Sequence, residues 1–180
     1  MGLFGLLKMI RDEKKKTKKF IAMSTDELLT LNDEDLYDAI SDRLLYEEQD
    51  LEVEEVIKKF RGAKLIFYVV NYFSMEINNG GLCQYFVNSS RLTAPYILDA
   101  LTAIGADSYS ELLHRFVSGH HIDLTDLDSF IIENVDDFEA QSERYPFDEF
   151  DDAFYQLEEN IQLEQLLSAY ARLHIQDFSL

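Results

Sequence analysis

The run from Leu65 to Phe73, LIFYVVNYF, decides the fold class of this chain. Its β-branched and aromatic residues favour a strand on propensity alone, and an apolar run of this length is ambiguous between strand and buried helix. The sequence holds no second strand-like segment of comparable strength to pair with it. The run is therefore read as the second half of a helical stretch from Leu51 to Ile77, broken at Gly62, and the fold as all-α.

Helix signals run through the rest of the chain. Asn32 is an N-cap for a helix from Asp33 to about Gln49, with Leu36, Ile40 and Leu44 as its buried stripe. Asn78, Asn79, Gly80 and Gly81 end the central helix, and Leu82 to Val87 begins another. Pro95 suits a first helical turn, and that helix stops at Gly105. The next segment opens at Ser108 or Ser110 and closes at Gly119. Three more are expected: Thr125 to about Arg144, Asp148 to Leu157, and Ile161 to His174. Phe147, Phe150, Phe154 and Leu157 recur at steps of three and four, as one buried helix face requires.

Charge divides the chain. There are 35 Asp and Glu against 16 Lys and Arg, a net charge of -19. Seven of the bases (Lys8, Arg11, Lys14, Lys15, Lys16, Lys18 and Lys19) lie in the first 19 positions, so the remainder carries -24. With 180 residues, 47% of them hydrophobic, the expectation is a basic N-terminal arm over 1–19 and a single acidic helical domain over 20–180. The first positions place an apolar patch ahead of the charges, the reverse of a signal peptide, and the patch is too short to span a bilayer. Leu6 also breaks the myristoylation pattern. A lone cysteine, Cys83, fits a reducing compartment, so the expected location is cytoplasmic. A solvated arm is the expected state of the N-terminus. Weak membrane-surface contact through Leu3, Phe4, Leu6, Leu7 and Ile10 stays open as an alternative.

Catalytic signatures are missing. NNGG lacks the Lys and Ser/Thr of a phosphate loop and reads as a turn. His120, His121 and Asp123 sit close in sequence but without a Cys/His framework, His114 and His174 fall on amphipathic helices, and Cys83 reads as a small buried hydrophobe. The chain is expected to be no enzyme, with no cofactor and no metal.

The acids are placed at spacings that weaken a helix. Glu54 and Glu55 precede Lys58 and Lys59 by four residues, an ordinary solvated face, but elsewhere the same step joins like charges, as in Glu34, Asp38 and Asp42, or Asp148 and Asp152. Such a surface serves solubility or imitates phosphates. The candidate array is Asp33, Glu34, Asp35, Asp38, Asp42, Glu47 and Glu48 on the early helix. From the C-terminal half it takes Asp136, Asp137, Glu139, Glu143, Asp148, Glu149, Asp151, Asp152, Glu158 and Glu159. Duplex DNA carries a charge about every 1.7 Å of axis, whereas carboxylates four residues apart on a helix are about 6 Å apart. A mimic must therefore set several acidic helices together or double the array across a two-fold axis.

The stretch from Phe73 to Ala106 resembles the core motif of a bacterial family named after a DNA-mimic protein, DNA mimic protein nineteen. The pattern is Glu76, Ile77, Asn78, Asn79, Gly80, Gly81, Gln84, Tyr85, Phe86 and Asn88, then Ala100, Leu101, Ile104, Gly105 and Ala106. The end of the chain, with Asp151 or Asp152 and Phe154, is similar to the family's closing pair of helices, and the likeness covers about residues 25 to 178. The resemblance implies an all-helical fold and, as in the namesake, a homodimer whose acidic surface occupies the DNA-binding face of a helix-turn-helix regulator. The partner so implied is a basic DNA-binding protein, with no direct nucleic-acid binding by this chain. The motif itself reads as structural: glycines permit a route that side chains forbid, and Asn78, Asn79, Gln84 and Asn88 satisfy backbone groups around the turn. An immunity-type inhibitor of a basic nuclease or toxin, and a small enzyme of unnamed chemistry, are the alternatives.

Overall fold

In the computed structural model, residues 14–180 are described. They contain no strand; helix α1 covers residues 14–22 and is followed by α2 (Thr25–Leu28), α3 (Asp33–Glu48), α4 (Val53–Lys59) and α5 (Ala63–Val87). Then come α6 (Ala94–Ala103), α7 (Asp107–Gly119), α8 (Val135–Ser142), α9 (Phe147–Glu158) and α10 (Leu163–Leu173), with single 3-10 turns after α5, before α8 and after α10. No described helix is long and apolar enough to cross a membrane.

The LIFYVVNYF run is helical and forms the hub. Phe67, Tyr68, Val69, Val70 and Phe73 are buried all round α5, which packs against α3, α6, α9 and α10. Burial on every side explains why the run lacks an amphipathic pattern. Asn32 caps α3 by accepting the Asp35 N–H at 2.8 Å, and Leu36, Ile40 and Leu44 face the core as their spacing requires. The break at Gly62, whose φ is +55°, separates α4 from α5.

Two expectations need correction. The segment after Gly105 opens at Asp107, with Ala106 in the cap position and no side-chain cap, rather than at Ser108 or Ser110. The stretch from Thr125 to Arg144 is not one helix. Asp123 accepts both the N–H and the hydroxyl of Thr125 at 2.8 and 2.7 Å, a local turn that competes with helix. A 3-10 turn at Asp128–Phe130 buries Phe130, and α8 starts only at Val135, capped by Asn134 in a capping box with Asp137.

A buried cation ties the ends of the domain to α3. Arg43, only 2% exposed, donates to the carbonyls of Phe20 (3.0 Å), Phe178 (2.9 Å) and Met23. Arg172 does likewise for the segment before α3, donating to Leu29 O and Leu31 O, both at 3.0 Å. The arginines satisfy chain turns that no regular ladder reaches.

Candidate functional site: an acidic face and the cleft behind the glycine kink

Within α5 the helix is interrupted at Gly80 (φ −167°) and Gly81 (φ +78°). Only Gly81 occupies the left-handed region, and a Cβ built there would lie 2.0 Å from Asp151 Oδ2. Glycine is needed for conformation and for room. α9 supplies side-chain partners on both sides of the interruption. Asp151 Oδ1 accepts the Leu82 N–H at 2.9 Å, and the Tyr155 hydroxyl donates to Ile77 O at 2.9 Å. Asp151 and Tyr155 are one helical turn apart and so share a face of α9. Burial raises the Asp151 carboxyl above its ordinary value against the opposing pull of the Leu82 N–H, and Asp148 and Asp152 add to the rise.

Glu76 organises the other half of the motif. Its Oε2 accepts from Gln84 Nε2 at 2.7 Å and Asn88 Nδ2 at 2.9 Å, and its Oε1 from Ser90 Oγ at 2.7 Å. Asn78 donates back to Ser74 O at 2.9 Å, while Asn79 is exposed. Of the residues expected to satisfy backbone groups around the turn, Asn78 reaches a backbone carbonyl, whereas Gln84 and Asn88 meet the Glu76 carboxylate instead. Glu76 also lines an open cleft of about 820 Å³, with Asn78, Asn79, Gln84 and Asn88 on one side. Tyr37 of α3, Glu158 of α9, and Gln162 and Glu164 at the start of α10 close the other side.

The seventeen acids of the candidate array divide by environment. On α3 most are matched internally: Asp33 with Arg172 (2.6 Å), Asp35 and Asp38 with Lys16 (3.4 and 2.7 Å), and Glu47 with Lys64. Asp42 is half-buried. Glu48 is held by the Tyr72 hydroxyl at 3.0 Å, and burial raises its carboxyl. Asp137 serves the capping box, Asp151 the kink, and Glu158 accepts from the Tyr109 hydroxyl at 2.9 Å and the Leu163 N–H at 3.1 Å. Exposed acids remain at Glu34, at Asp136, Glu139 and Glu143 in and just after α8, and at Asp148, Glu149, Asp152 and Glu159 in and just after α9.

Glu34, Asp38 and Glu158 come together around Glu164, which sequence reasoning did not select. Burial raises the Glu164 carboxyl, and the charges of Glu158, Asp38 and Glu34 raise it further. No sequence signal separates Glu164 from the acids around it in the LEENIQLEQ segment.

The basic arm is described only from Lys14 onward. Lys14 to Lys19 belong to α1, and Lys16 reaches the acids of α3. Lys8, Arg11 and the apolar Leu3, Phe4, Leu6, Leu7 and Ile10 lie outside the described residues. Cys83 is buried and its thiol is pushed up to about 11 by desolvation. His120 packs its ring 4.8 Å from Phe116 and 5.5 Å from Tyr145, while His121 takes a turn conformation with φ +55°.

A family model described as "DMP19-like protein" matches residues 58–174, from the end of α4 through α10. The chain belongs to the DMP19-like family. The match includes the glycine kink, the Glu76 network and Asp151, so the cleft is built mainly from family positions, with Tyr37 contributed from outside the matched segment. Neither the curated proteins nor the solved structures gives a match.

Proposed function

We propose that this DMP19-like protein is an acidic protein-binding module that occupies the DNA-binding surface of a basic partner such as a helix-turn-helix regulator. The observation that carries the reading is the set of exposed acids on two consecutive helices: Asp136, Glu139 and Glu143 with α8, and Asp148, Glu149, Asp152 and Glu159 with α9. α9 separates its acids by face. Phe147, Phe150 and Phe154 enter the core, Asp151 and Glu158 are engaged within the fold, and Asp148 and Asp152 stand one turn apart toward solvent. Like charges at that spacing lower helix stability by a few tenths of a kcal/mol, a cost with no return inside the fold. Membership of the family supports the same reading.

Within this proposal the mimicking face is centred on α8 and α9, since the acids of α3 are largely matched by Lys16, Lys64 and Arg172. A homodimer doubles the exposed array and brings its charge density closer to that of a duplex. The test is capture from the source cell at low salt followed by elution at high salt. Recovery of a basic DNA-binding protein supports the proposal; recovery of a nuclease or toxin replaces it with the inhibitor reading.

A further inference from the structure

Beside the acidic face the fold keeps a groove that imitation of phosphates alone does not require. It lies between the end of α5 and the start of α8, has a volume of about 450 Å³, and has an apolar base of Val87, Ile132 and Phe138. Val87 is buried, while Ile132 and Phe138 pack on the core with part of their surface still in water. The preceding residue, Ile131, is 52% exposed. The polar amides at the groove are engaged within the fold. Gln84 and Asn88 donate to Glu76 at 2.7 and 2.9 Å, and Asn134 accepts the Asp137 N–H at 3.1 Å. A ligand that enters the base meets hydrocarbon.

The charge around this base has one sign. Glu133 lines the groove, Asp136 and Glu139 are exposed on the first turns of α8, and none of the three forms an ion pair among the described residues. Asp136 and Glu139 are three residues apart and so share a face of α8. The cations of the flanking segments are directed elsewhere. Arg91 donates to the Val87 and Asn88 carbonyls at 3.3 and 3.0 Å, and Arg144 lies over the rings of Phe130 and Tyr145. An apolar base with an acidic rim is the complement of an amphipathic basic helix, whose apolar anchor fills the groove while Lys and Arg a turn away meet the carboxylates. Duplex DNA offers a recognition helix the same pairing, phosphates for its cations and thymine methyls for its apolar side chains.

We propose that the groove between α5 and α8 receives one bulky apolar side chain from a basic helix of the partner, with Val87, Ile132 and Phe138 as its base and Glu133, Asp136 and Glu139 as counter-charges. The inference rests on the reading of the α8 and α9 acids as a surface for a basic protein, and names what that surface selects among basic proteins. The acids supply attraction that salt screens. The groove supplies discrimination between a matched helix and any other cation.

The experiment is fluorescence-anisotropy titration of two labelled helical peptides, acetyl-KAARAAKLAARAAKA-amide and the same peptide with Ser in place of Leu, with the full-length protein. It is run at about 0.15 M and about 0.5 M salt, where the Debye length falls from about 8 Å toward 3 Å. The parent should bind the Leu peptide about tenfold or more tightly than the Ser peptide, the effect of burying one aliphatic side chain. Both affinities should fall with salt while their ratio holds, because salt does not screen apolar burial. Ile132→Asp, which puts a carboxylate in the apolar base, should erase the advantage of Leu, and Glu133→Gln should weaken both peptides alike. Methyl spectra of the parent give a readout that needs no variant to fold: the Val87 and Ile132 methyl signals should move with the Leu peptide and stay in place with the Ser peptide. Equal affinity of the two peptides for the parent, a Leu advantage that survives in Ile132→Asp, or unmoved methyl signals overturns the groove. Equal affinities that fall steeply with salt leave the acidic face standing without the groove, whereas a Leu advantage with no salt dependence removes the acidic face and leaves the groove.

Discussion

Asp151 Oδ1 accepts the Leu82 N–H at 2.9 Å across a separation of 69 positions. This contact joins α9 to the interruption in α5 and explains why Gly81 has no room for a side chain. It also removes Asp151 from the acids available to a partner, although in the sequence it is one of four in the DEFDD segment.

Gly81→Ala should destabilise the domain severely, and Gly80→Ala mildly. At Gly81, with φ +78° and ψ −178°, a residue with a Cβ pays about 1–3 kcal/mol for a backbone region that is essentially restricted to glycine, in addition to the encounter with Asp151. Gly80 has an extended φ, and an added Cβ meets the end of the Gln84 side chain, which can turn away at the expense of its bond to Glu76. Urea unfolding of both variants checks the order; equal loss at the two positions would contradict it.

Replacement of Asp151 separates the hydrogen bond from the charge. Asp151→Leu removes the acceptor for Leu82 and should cost about 1–3 kcal/mol, whereas Asp151→Asn keeps an acceptor. The raised carboxyl means that the native state holds the Asp151 proton more tightly than the unfolded chain does. Its contribution to stability is therefore greatest below the ordinary Asp value of 3.8 and falls as pH rises through the raised value. The stability of Asp151→Asn relative to the parent should accordingly improve from about pH 4 to pH 7. Unfolding free energies of the pair across that range report the slope, and a decline in relative stability would mean that the native state holds this proton less tightly, not more.

Arg43→Met should cost about 3 kcal/mol or more, because the carbonyls of Phe20, Met23 and Phe178 lose a shared buried donor. Arg43→Lys should recover only part of that loss, since a single ammonium cannot reproduce the planar fork. Chemical unfolding measures both, and hydrogen exchange should show the C-terminal turn at Ile175–Phe178 opening first.

Much of this architecture is written locally and is legible in the sequence. The Asn32 cap, the Leu36–Ile40–Leu44 stripe and the stop at Gly105 depend on residues within a turn or two of each other. The helical state of LIFYVVNYF follows from the lack of a partner strand. The stretch from Thr125 to Arg144 has a helical pattern locally, and two short-range devices override it: the Asp123–Thr125 turn and the Asn134–Asp137 capping box. What the sequence does not show is where distant helices meet. Which glycine of the pair bears the positive φ depends on α9 reaching α5. The convergence of Glu34, Asp38 and Glu158 on Glu164 depends on α10 lying against α3. The internal matching of α3 by Lys16 and Arg172 likewise spans distances that no periodicity encodes.

The central claim is that the exposed acids of α8 and α9 take the place of DNA phosphates on a basic partner. The most direct measurement is competition: the captured partner is bound to its own labelled duplex, and displacement is followed with the parent protein and with Asp148→Asn, Glu149→Gln, Asp152→Asn at two salt concentrations. The account predicts displacement of DNA by the parent, steep weakening with salt, and about tenfold or greater weakening for the triple variant, whose melting temperature should equal or exceed the parent's because like-charge repulsion on α9 is relieved. Equal displacement by parent and variant, or a ternary complex holding partner, DNA and this protein together, would contradict it.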